Sequence, residues 1–229
     1  MRNNSRRLSA LTTSRVGVFA ALYAVLSLVP VSMFIGAPSF LALNLIVTPA
    51  VAILLSPFEA LFASAFGGIL AFYVAPSQAM FGPFTILLPV VGSTFGSLAY
   101  HKRKSGAIAT MLFLVAAISA YLIVNSPFPY FVIPHTAAFL VVFASLFKKM
   151  TPLGIKIPLF AFVSTMCEQG MMMIFAVHLL GLPWQVFVGI LPLMIYERLI
   201  GTVGATIAII SLMRIIPKYF SEWKGSELA

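Results

Sequence analysis

Long uncharged apolar stretches, divided by four short basic clusters, constrain this chain more than any other feature of its sequence. The clusters fall within Arg2–Arg15, Lys102–Lys104, Lys148–Lys156 and Arg214–Lys224. A run of about 20 apolar residues is long enough for a helix to cross the hydrocarbon core of a bilayer. Because Lys and Arg concentrate in short cytoplasmic loops of membrane proteins, the pattern predicts a multi-pass membrane protein with its basic loops inside.

The composition agrees with a chain that has lipid as its main solvent. Hydrophobic residues make up 61% of the sequence and charged residues 8%, and the mean hydropathy is +1.08, far from the values of soluble domains. A net charge of +9 would suggest nucleic acid in a soluble protein. Here the cations lie in short loops, so we expect the lipid bilayer and no nucleic acid as a partner.

Proline and glycine residues divide the apolar sequence into about eight segments, which predicts an all-α transmembrane helical bundle. The segments are 16–36, 40–56, 58–75, 80–100, 105–124, 130–147, 157–180 and 185–213. Segments two and three are short for a 30 Å core, so we expect them to be packed inside the bundle. We interpret residues 1–229 as a single integral membrane domain.

An even number of segments predicts that both termini are cytoplasmic, with a basic segment 1–15 at the start and a tail 214–229 at the end. The outer connections contain no Lys or Arg, which fits the same orientation. These connections are Gly36–Ser39, Pro76–Gln78, Asn125–Pro129 and Gly181–Trp184.

Known catalytic and nucleotide-binding patterns are missing from the sequence. It contains no Asp and no glycine-rich loop ending in Lys-Ser or Lys-Thr, so we expect no ATP hydrolysis by this chain. We also predict no cofactor, no metal site and no catalytic residue. Two alternatives stay open: an integral membrane enzyme acting on lipid or peptide through Glu168, Glu197 or the histidines, and a secondary transporter, which would normally show inverted repeats.

Charged residues near the middle of the bilayer mark the candidate ligand site. Glu168 lies about 16 Å along segment seven at 1.5 Å per residue, and Glu197 and Arg198 lie at a similar depth in the last segment. Charges at that depth are unfavourable unless they are paired or hydrated. We therefore expect Glu168 and Arg198 to pair across two helices, either as a structural contact or as part of a ligand-facing cluster.

The stretch Ala37–Asn44, followed by Pro49–Leu55 and Pro57, resembles the ligand-capping loop and the two short helices of a known family, the substrate-binding S components of energy-coupling-factor (ECF) transporters. Gly92–Lys104 resembles its glycine-containing fourth helix and the basic loop after it. Ile190–Ile200 looks like its final helix, in which a polar residue shortly after a proline often faces the substrate.

The opening Arg15–Ala24 is similar to the first helix of the same family, whose Ala-x-x-x-Ala pattern contacts the coupling subunit. The resemblance implies that Ala20 and Ala24 form a partner surface, since small residues four apart allow close helix contact. It also implies a six-span core, so that eight apolar segments leave an extra hairpin between 105 and 180.

The resemblance implies a substrate-binding subunit of an ATP-driven uptake transporter for a vitamin or related micronutrient, in a prokaryotic plasma membrane. A coupling membrane subunit and two ATPase subunits would be its partners. We expect the ligand in the outer half of the bundle, closed by the loop Gly36–Phe40. The predicted binding residues are Asn44, Glu168, Glu197, Arg198, Ser39 and Tyr130.

Overall fold

Eight α-helices and one short β-hairpin make up the part of the chain that the structure describes. This computed structural model describes residues 2–33, 40–102, 104–147 and 152–215. The helices are α1 (Arg2–Leu26), α2 (Val47–Leu54), α3 (Pro57–Val74), α4 (Leu87–His101), α5 (Ser105–Asn125), α6 (Ile133–Phe147), α7 (Leu153–His178) and α8 (Trp184–Ile215). The predicted all-α bundle is confirmed.

Six helical stretches among the described residues are long and apolar enough to cross a membrane. Each contains one of the helices α3 to α8. The chain is therefore a multi-pass membrane protein by the length and composition of its helices. Two apolar stretches are shorter, Thr12–Leu26 in α1 and Leu43–Leu54, which is made of a 3₁₀ turn and α2. They lie near the start of the chain, not between 105 and 180, where the sequence predicted an extra hairpin.

Helix α1 ends ten residues before the predicted boundary at 36. It stops at Leu26, and the chain continues as strand β1 (Pro30–Met33), which pairs antiparallel with β2 (Phe40–Ala42). Pro30 has no backbone N–H and its ring crowds the preceding helical turn, which favours the end of α1 before it, although α7 and α8 do continue through Pro158 and Pro192. The predicted helix over 16–36 is wrong at its end, and the loop between the strands lies outside the described residues.

The two segments expected inside the bundle behave differently. All eight residues of α2 are buried, as predicted. Helix α3 has a broad exposed face that includes Phe58 and Tyr73, so the prediction is wrong for α3. Its start is defined by a capping box, in which Ser56 Oγ accepts from the backbone N–H of Glu59 and Glu59 Oε2 accepts from that of Ser56.

Helix α7 lies at the centre of the bundle and packs closely against α4. A Cβ added at Gly92 would come within 2.7 Å of Glu168 Cβ, and one at Gly96 within 2.6 Å of Ser164 Cβ. Because residue numbers rise along α4 as they fall along α7, the two helices are antiparallel. Glycine at these two positions lets the backbones approach without overlap.

Basic residues gather at one end of this antiparallel arrangement. Lys156 at the start of α7 places its Nζ 3.7 Å from the ring centre of Tyr100, near the end of α4. Lys102 and Lys104 lie in the α4–α5 connection at the same end. At the opposite end, His178 Nε2 lies 3.0 Å from the carbonyl oxygen of Ala120.

The small-residue pair on α1 makes an internal contact. Ala20 and Ala24 are both buried, and a Cβ added at Gly67 of α3 would lie 3.3 Å from Ala20 Cα. Helix α3 therefore covers the face that was predicted to bind a partner subunit, and that prediction is corrected. The exposed face of α1 contains Gly17 and Ala21, with no heavy atom of the described residues near Gly17.

Candidate functional site

An ion pair joins α7 and α8 inside the bundle. Arg198 Nη1 lies 3.7 Å from Glu168 Oε2, and both side chains are buried. The predicted cross-helix pair is thus confirmed. Its separation exceeds a hydrogen-bond distance, and in the described part of the chain neither Glu168 Oε2 nor Arg198 Nε has a hydrogen-bond partner. The pair consequently retains hydrogen-bonding capacity for another molecule.

Small residues on α2 and α4 lie close to the glutamate. Thr48 and Glu168 both lie against Gly92, where an added Cβ would come within 2.8 Å of Thr48 Cγ2 and 2.7 Å of Glu168 Cβ. Ser164, one turn before Glu168, donates a hydrogen bond of 2.9 Å to the carbonyl oxygen of Gly92. This contact fixes α7 against α4 immediately beside the charge.

A second polar group lies at the end of the bundle opposite the α4–α5 connection, where α1, the 3₁₀ turn before α2 and the α3–α4 connection meet. Asn44 Nδ2 donates to Ser27 Oγ at 2.8 Å and to Gln78 Oε1 at 3.2 Å. Gln78 Nε2 donates to the carbonyl oxygen of Ser27, and Ser27 Oγ donates to that of Tyr23. The Asn44 amide therefore already bonds to two side chains of the protein.

A cavity of about 50 Å³ connects the Ser27–Asn44–Gln78 group with the ion pair. We call it the ion-pair cavity. Such a volume accommodates a few water molecules, and its lining is about equally polar and apolar in character. It is lined by Tyr23, Asn44, Leu45, Gln78, Met80, Phe81, Thr85, Leu88, Glu168, Met172 and Arg198.

A neighbouring cavity of about 50 Å³ shares Met80, Phe81 and Met172 with the first. We call it the methionine cavity because four methionines line it. Its lining is almost wholly apolar, with Gln169 and Glu197 as the polar members. The complete set is Met80, Phe81, Phe131, Gln169, Met172, Met173, Ala176, Leu180, Leu182, Phe187, Ile190, Met194 and Glu197.

The structure brings most of the predicted site together and separates the rest. Asn44, Glu168 and Arg198 line the ion-pair cavity, and Glu197 lines the adjacent methionine cavity. Glu168 and Glu197 therefore lie in different cavities. Consecutive residues of a helix point about 100° apart, so Arg198, which pairs with Glu168, faces one cavity and its neighbour Glu197 faces the other. Ser39 lies outside the described residues.

Tyr130 is a correction to the predicted site. It is 61% exposed and its ring contacts Phe128 at a centroid distance of 5.7 Å, away from both cavities. The 3₁₀ turn Pro129–Val132 directs the next residue, Phe131, inward, so that Phe131 is buried and lines the methionine cavity. A hydropathy pattern does not show which of two adjacent aromatic residues a turn will bury.

Sequence reasoning missed Ser27, Gln78 and Gln169 as members of the site. Gln169 is buried beside Glu168 on α7, and within the described ranges its Oε1 has no hydrogen-bond partner. A polar residue next to an intramembrane charge is a signal that could have identified Gln169. Ser27 and Gln78 meet Asn44 only through the fold, 17 and 34 residues away in sequence.

The histidines form no recognisable metal site. His135 is fully buried near Phe131, with 6.3 Å between the ring centres, and neither ring nitrogen has a hydrogen-bond partner among the described residues. The same part of the chain contains no group of three or more His, Cys, Asp or Glu residues that could hold a metal ion.

No protein-family model, curated protein or solved structure matches this chain.

Proposed function

We propose that this chain is the substrate-binding subunit of an ECF-type uptake transporter and binds a vitamin or related micronutrient without hydrolysing ATP itself. The observation that carries the proposal is the buried Glu168–Arg198 pair lining a cavity that reaches a hydrogen-bonded group at the outer end of the bundle. Intramembrane charges that line a cavity generally belong to ligand or ion sites, because burying them is costly.

The chemistry of the ion-pair cavity favours a polar ligand. The pair offers a carboxylate oxygen and a guanidinium N–H without hydrogen-bond partners in the described structure, and Asn44 and Gln78 add amide groups at the outer end. A ligand with both donors and acceptors would bond to these groups and offset their desolvation. Separate ATPase subunits and a coupling membrane subunit would supply the energy for release into the cell.

The proposed orientation places both termini in the cytoplasm of a prokaryotic cell, with the Ser27–Asn44–Gln78 group facing outward. The basic residues Lys102, Lys104 and Lys156 at one end of the bundle support it through the preference of Lys and Arg for the inner side. Reporter fusions after Lys104 and after Arg214 should both report a cytoplasmic location. An external signal from either fusion would overturn the orientation.

The exposed face of α1 is the surface that we propose for the coupling subunit. Ala21 lies on this exposed face, whereas its neighbour Ala20 is buried against α3. Ala21→Leu should leave folding intact and weaken association with a coupling subunit, because a larger side chain blocks close helix contact. Ala20→Leu is the matched control and should destabilise the chain itself. Unchanged association of Ala21→Leu would exclude this face.

Mass spectrometry of small molecules that copurify with the detergent-solubilised protein is the direct test of ligand binding. A molecule retained by the wild type should be lost or reduced in Glu168→Gln, since the amide no longer pairs with Arg198. Glu59→Gln is the matched control: Glu59 is also buried, but it belongs to the cap of α3. Equal retention by all three proteins, with only stability reduced in Glu168→Gln, would mean that the pair is structural.

A further inference from the structure

The ion-pair cavity and the methionine cavity meet beside one side chain of α7. Met172 lines both of them, together with Met80 and Phe81. It lies four residues after Glu168 and three after Gln169, and residues at these two spacings are neighbours on the surface of a helix. Met172 therefore lies next to Glu168 in the ion-pair cavity and next to Gln169 in the methionine cavity, at the boundary of the two.

The ion pair in the first cavity lacks one hydrogen-bond donor and one acceptor. Glu168 Oε2 accepts no hydrogen bond and Arg198 Nε donates none among the described residues, and both atoms are inaccessible to solvent. A ligand group that only donates, or only accepts, would leave one of these buried atoms unsatisfied. A carboxamide has an N–H and a carbonyl oxygen side by side, so it supplies both partners without adding charge to the pair.

A third buried atom without a partner lies in the second cavity. Gln169 is 4% exposed and lines the methionine cavity, and its Oε1 accepts no hydrogen bond within the described part of the chain. Methionine and phenylalanine side chains make up most of the remaining wall. A carbonyl oxygen buried in apolar surroundings is stabilised by a hydrogen-bond donor, so this cavity favours an otherwise apolar group that bears one O–H or N–H.

The aromatic residues of this wall favour a ring as the apolar group. Phe131 and Phe187 lie edge to face, with 4.8 Å between their ring centres, and the ring centre of Phe81 lies 5.5 Å from that of Phe175. Aromatic rings attract one another in edge-to-face and offset arrangements, and methionine sulfur makes favourable contacts with them. An aromatic ring of a ligand would extend this set of contacts.

Movement of Met172 would give such a ligand the space that it needs. Each cavity has a volume of about 50 Å³, whereas benzene occupies a cavity of roughly 150 Å³. Met172 is half-buried, and a methionine side chain is unbranched and adapts its shape easily. Because Met172 lines both cavities, its displacement would join them into one continuous space, with the ion pair at one end and Gln169 at the other.

From these observations we infer that the two cavities together bind a neutral aromatic amide whose ring bears a hydrogen-bond donor. The ring lies in the methionine cavity, and its O–H or N–H donates to Gln169 Oε1. The carboxamide extends past Met172, where its N–H donates to Glu168 Oε2 and its carbonyl oxygen accepts from Arg198 Nε. The inference rests on the proposed function and narrows its substrate class.

Four compounds with one benzene ring test which groups the site requires. The compound 4-hydroxyphenylacetamide carries every proposed group, phenylacetamide lacks the ring donor, and tyramine and 4-hydroxyphenylacetate replace the amide by a cation or an anion. Binding to the full chain in detergent at neutral pH is measured by equilibrium dialysis, with empty micelles correcting for partition. We expect the hydroxylated amide to bind about fivefold more tightly than phenylacetamide and about tenfold more tightly than either ion.

Two results of this comparison would overturn the inference. One is no detectable binding of the hydroxylated amide by the folded chain. The other is binding of any of the three other compounds that is as tight as that of the hydroxylated amide, or tighter.

Three variants locate the ligand. Gln169→Leu removes the acceptor and should abolish the preference for the hydroxylated amide over phenylacetamide, while the preference for amides over ions remains. Met172→Ile places a branched and stiffer side chain between the cavities and should weaken the binding of all four compounds. Met171→Ile is the matched control, since Met171 lines neither cavity, and should bind them as the wild type does.

Thermal unfolding in the same detergent verifies that each variant is folded. A preference for the ring hydroxyl that persists in folded Gln169→Leu would contradict the place of the ring. Unchanged binding by folded Met172→Ile would contradict the joining of the two cavities.

Failure of this inference differs from failure of the proposed function. A copurifying molecule without an amide group, retained only while Glu168 is intact, would support the transport subunit and refute the amide. Amide binding that depends on Gln169 and Glu168, in a chain that promotes no uptake of the amide together with a coupling subunit and its ATPases, would support the amide site and refute the transport function.

Discussion

Helices α7 and α5 are both long and apolar enough to cross a membrane, but they have very different surroundings. In an 18-residue window of each, 72% of the residues of α7 are buried against 28% of those of α5. The buried residues of α5 form one stripe, which runs from Ala107 to Asn125. In α7 the whole run from Val163 to Gly170 is buried, so that no side of the helix there faces lipid.

This difference explains where the polar chemistry of the chain lies. A central helix can carry Ser164, Glu168 and Gln169 close together because neighbouring helices surround it on every side. On α5 the polar side chains of the buried stripe bond to backbone groups: Thr110 Oγ1 donates to the carbonyl oxygen of Phe95, and Tyr121 Oη to that of Phe128, whereas Ser119 outside the stripe is exposed. Polar groups exposed to hydrocarbon would lack such partners.

The sharpest way to test the central role of α7 is to leave its charge without a partner. Arg198→Met should destabilise the chain by about 3–5 kcal/mol, because it leaves the Glu168 carboxylate buried and unpaired. The free energy of unfolding is measured in mixed detergent–SDS micelles. The double variant Glu168→Met/Arg198→Met should recover most of the loss. A single variant as stable as the wild type would show that the pair does not hold α7 and α8 together.

The next largest effect should come from the contact between α4 and α7. Gly96→Ala places a methyl group within 2.6 Å of Ser164 Cβ and 2.9 Å of Ala52 Cβ, and such overpacking costs about 1–3 kcal/mol. Gly189→Ala on α8 is the matched control, since no described heavy atom lies within 4 Å of that position. Equal unfolding free energies of the two variants would contradict the close packing.

The sequence predicted the features of this bundle that depend on local energetics. A charge in the middle of a bilayer needs a partner wherever it lies, so the Glu168–Arg198 pair followed from depth and helical spacing alone. The number of apolar helices followed from hydropathy in the same way. The burial of α2 was expected because its apolar segment is short for a full span, but the same argument was wrong for α3.

The errors concern features that depend on which surfaces meet. Hydropathy did not distinguish a strand from a helix after Leu26, although Pro30 was a usable signal. Small residues on α1 indicated a close contact correctly, but only the fold shows that Ala20 meets Gly67 of α3 rather than another subunit. Tyr130 and Phe131 have similar side chains, and the turn that exposes one and buries the other is set by its packing.

A smaller effect should follow from removing one hydrogen bond of the central helix. Ser164→Ala deletes the donor to the Gly92 carbonyl oxygen, a bond of 2.9 Å, and should lower the free energy of unfolding by about 1 kcal/mol. Thr206→Val is its control: the hydrogen bond of Thr206 in the described structure lies within α8, to the carbonyl oxygen of Thr202, and an intrahelical bond of that kind adds little to tertiary stability. A larger loss of unfolding free energy in Thr206→Val than in Ser164→Ala would contradict the prediction that the bond between α7 and α4 contributes more to stability than the bond within α8.

The smallest effect should come from the exposed side of α5. Leu112 is 66% exposed and Leu114, two residues later, is fully buried. Leu112→Ala should change the free energy of unfolding by no more than about 0.5 kcal/mol, as for other surface positions, because acyl chains fill the space left by the side chain. Leu114→Ala should cost about 2–5 kcal/mol, since a cavity opens between α5 and its neighbours. Similar losses in the two variants would mean that another subunit covers the exposed side of α5, and the contrast between α5 and α7 would then hold only for the isolated chain.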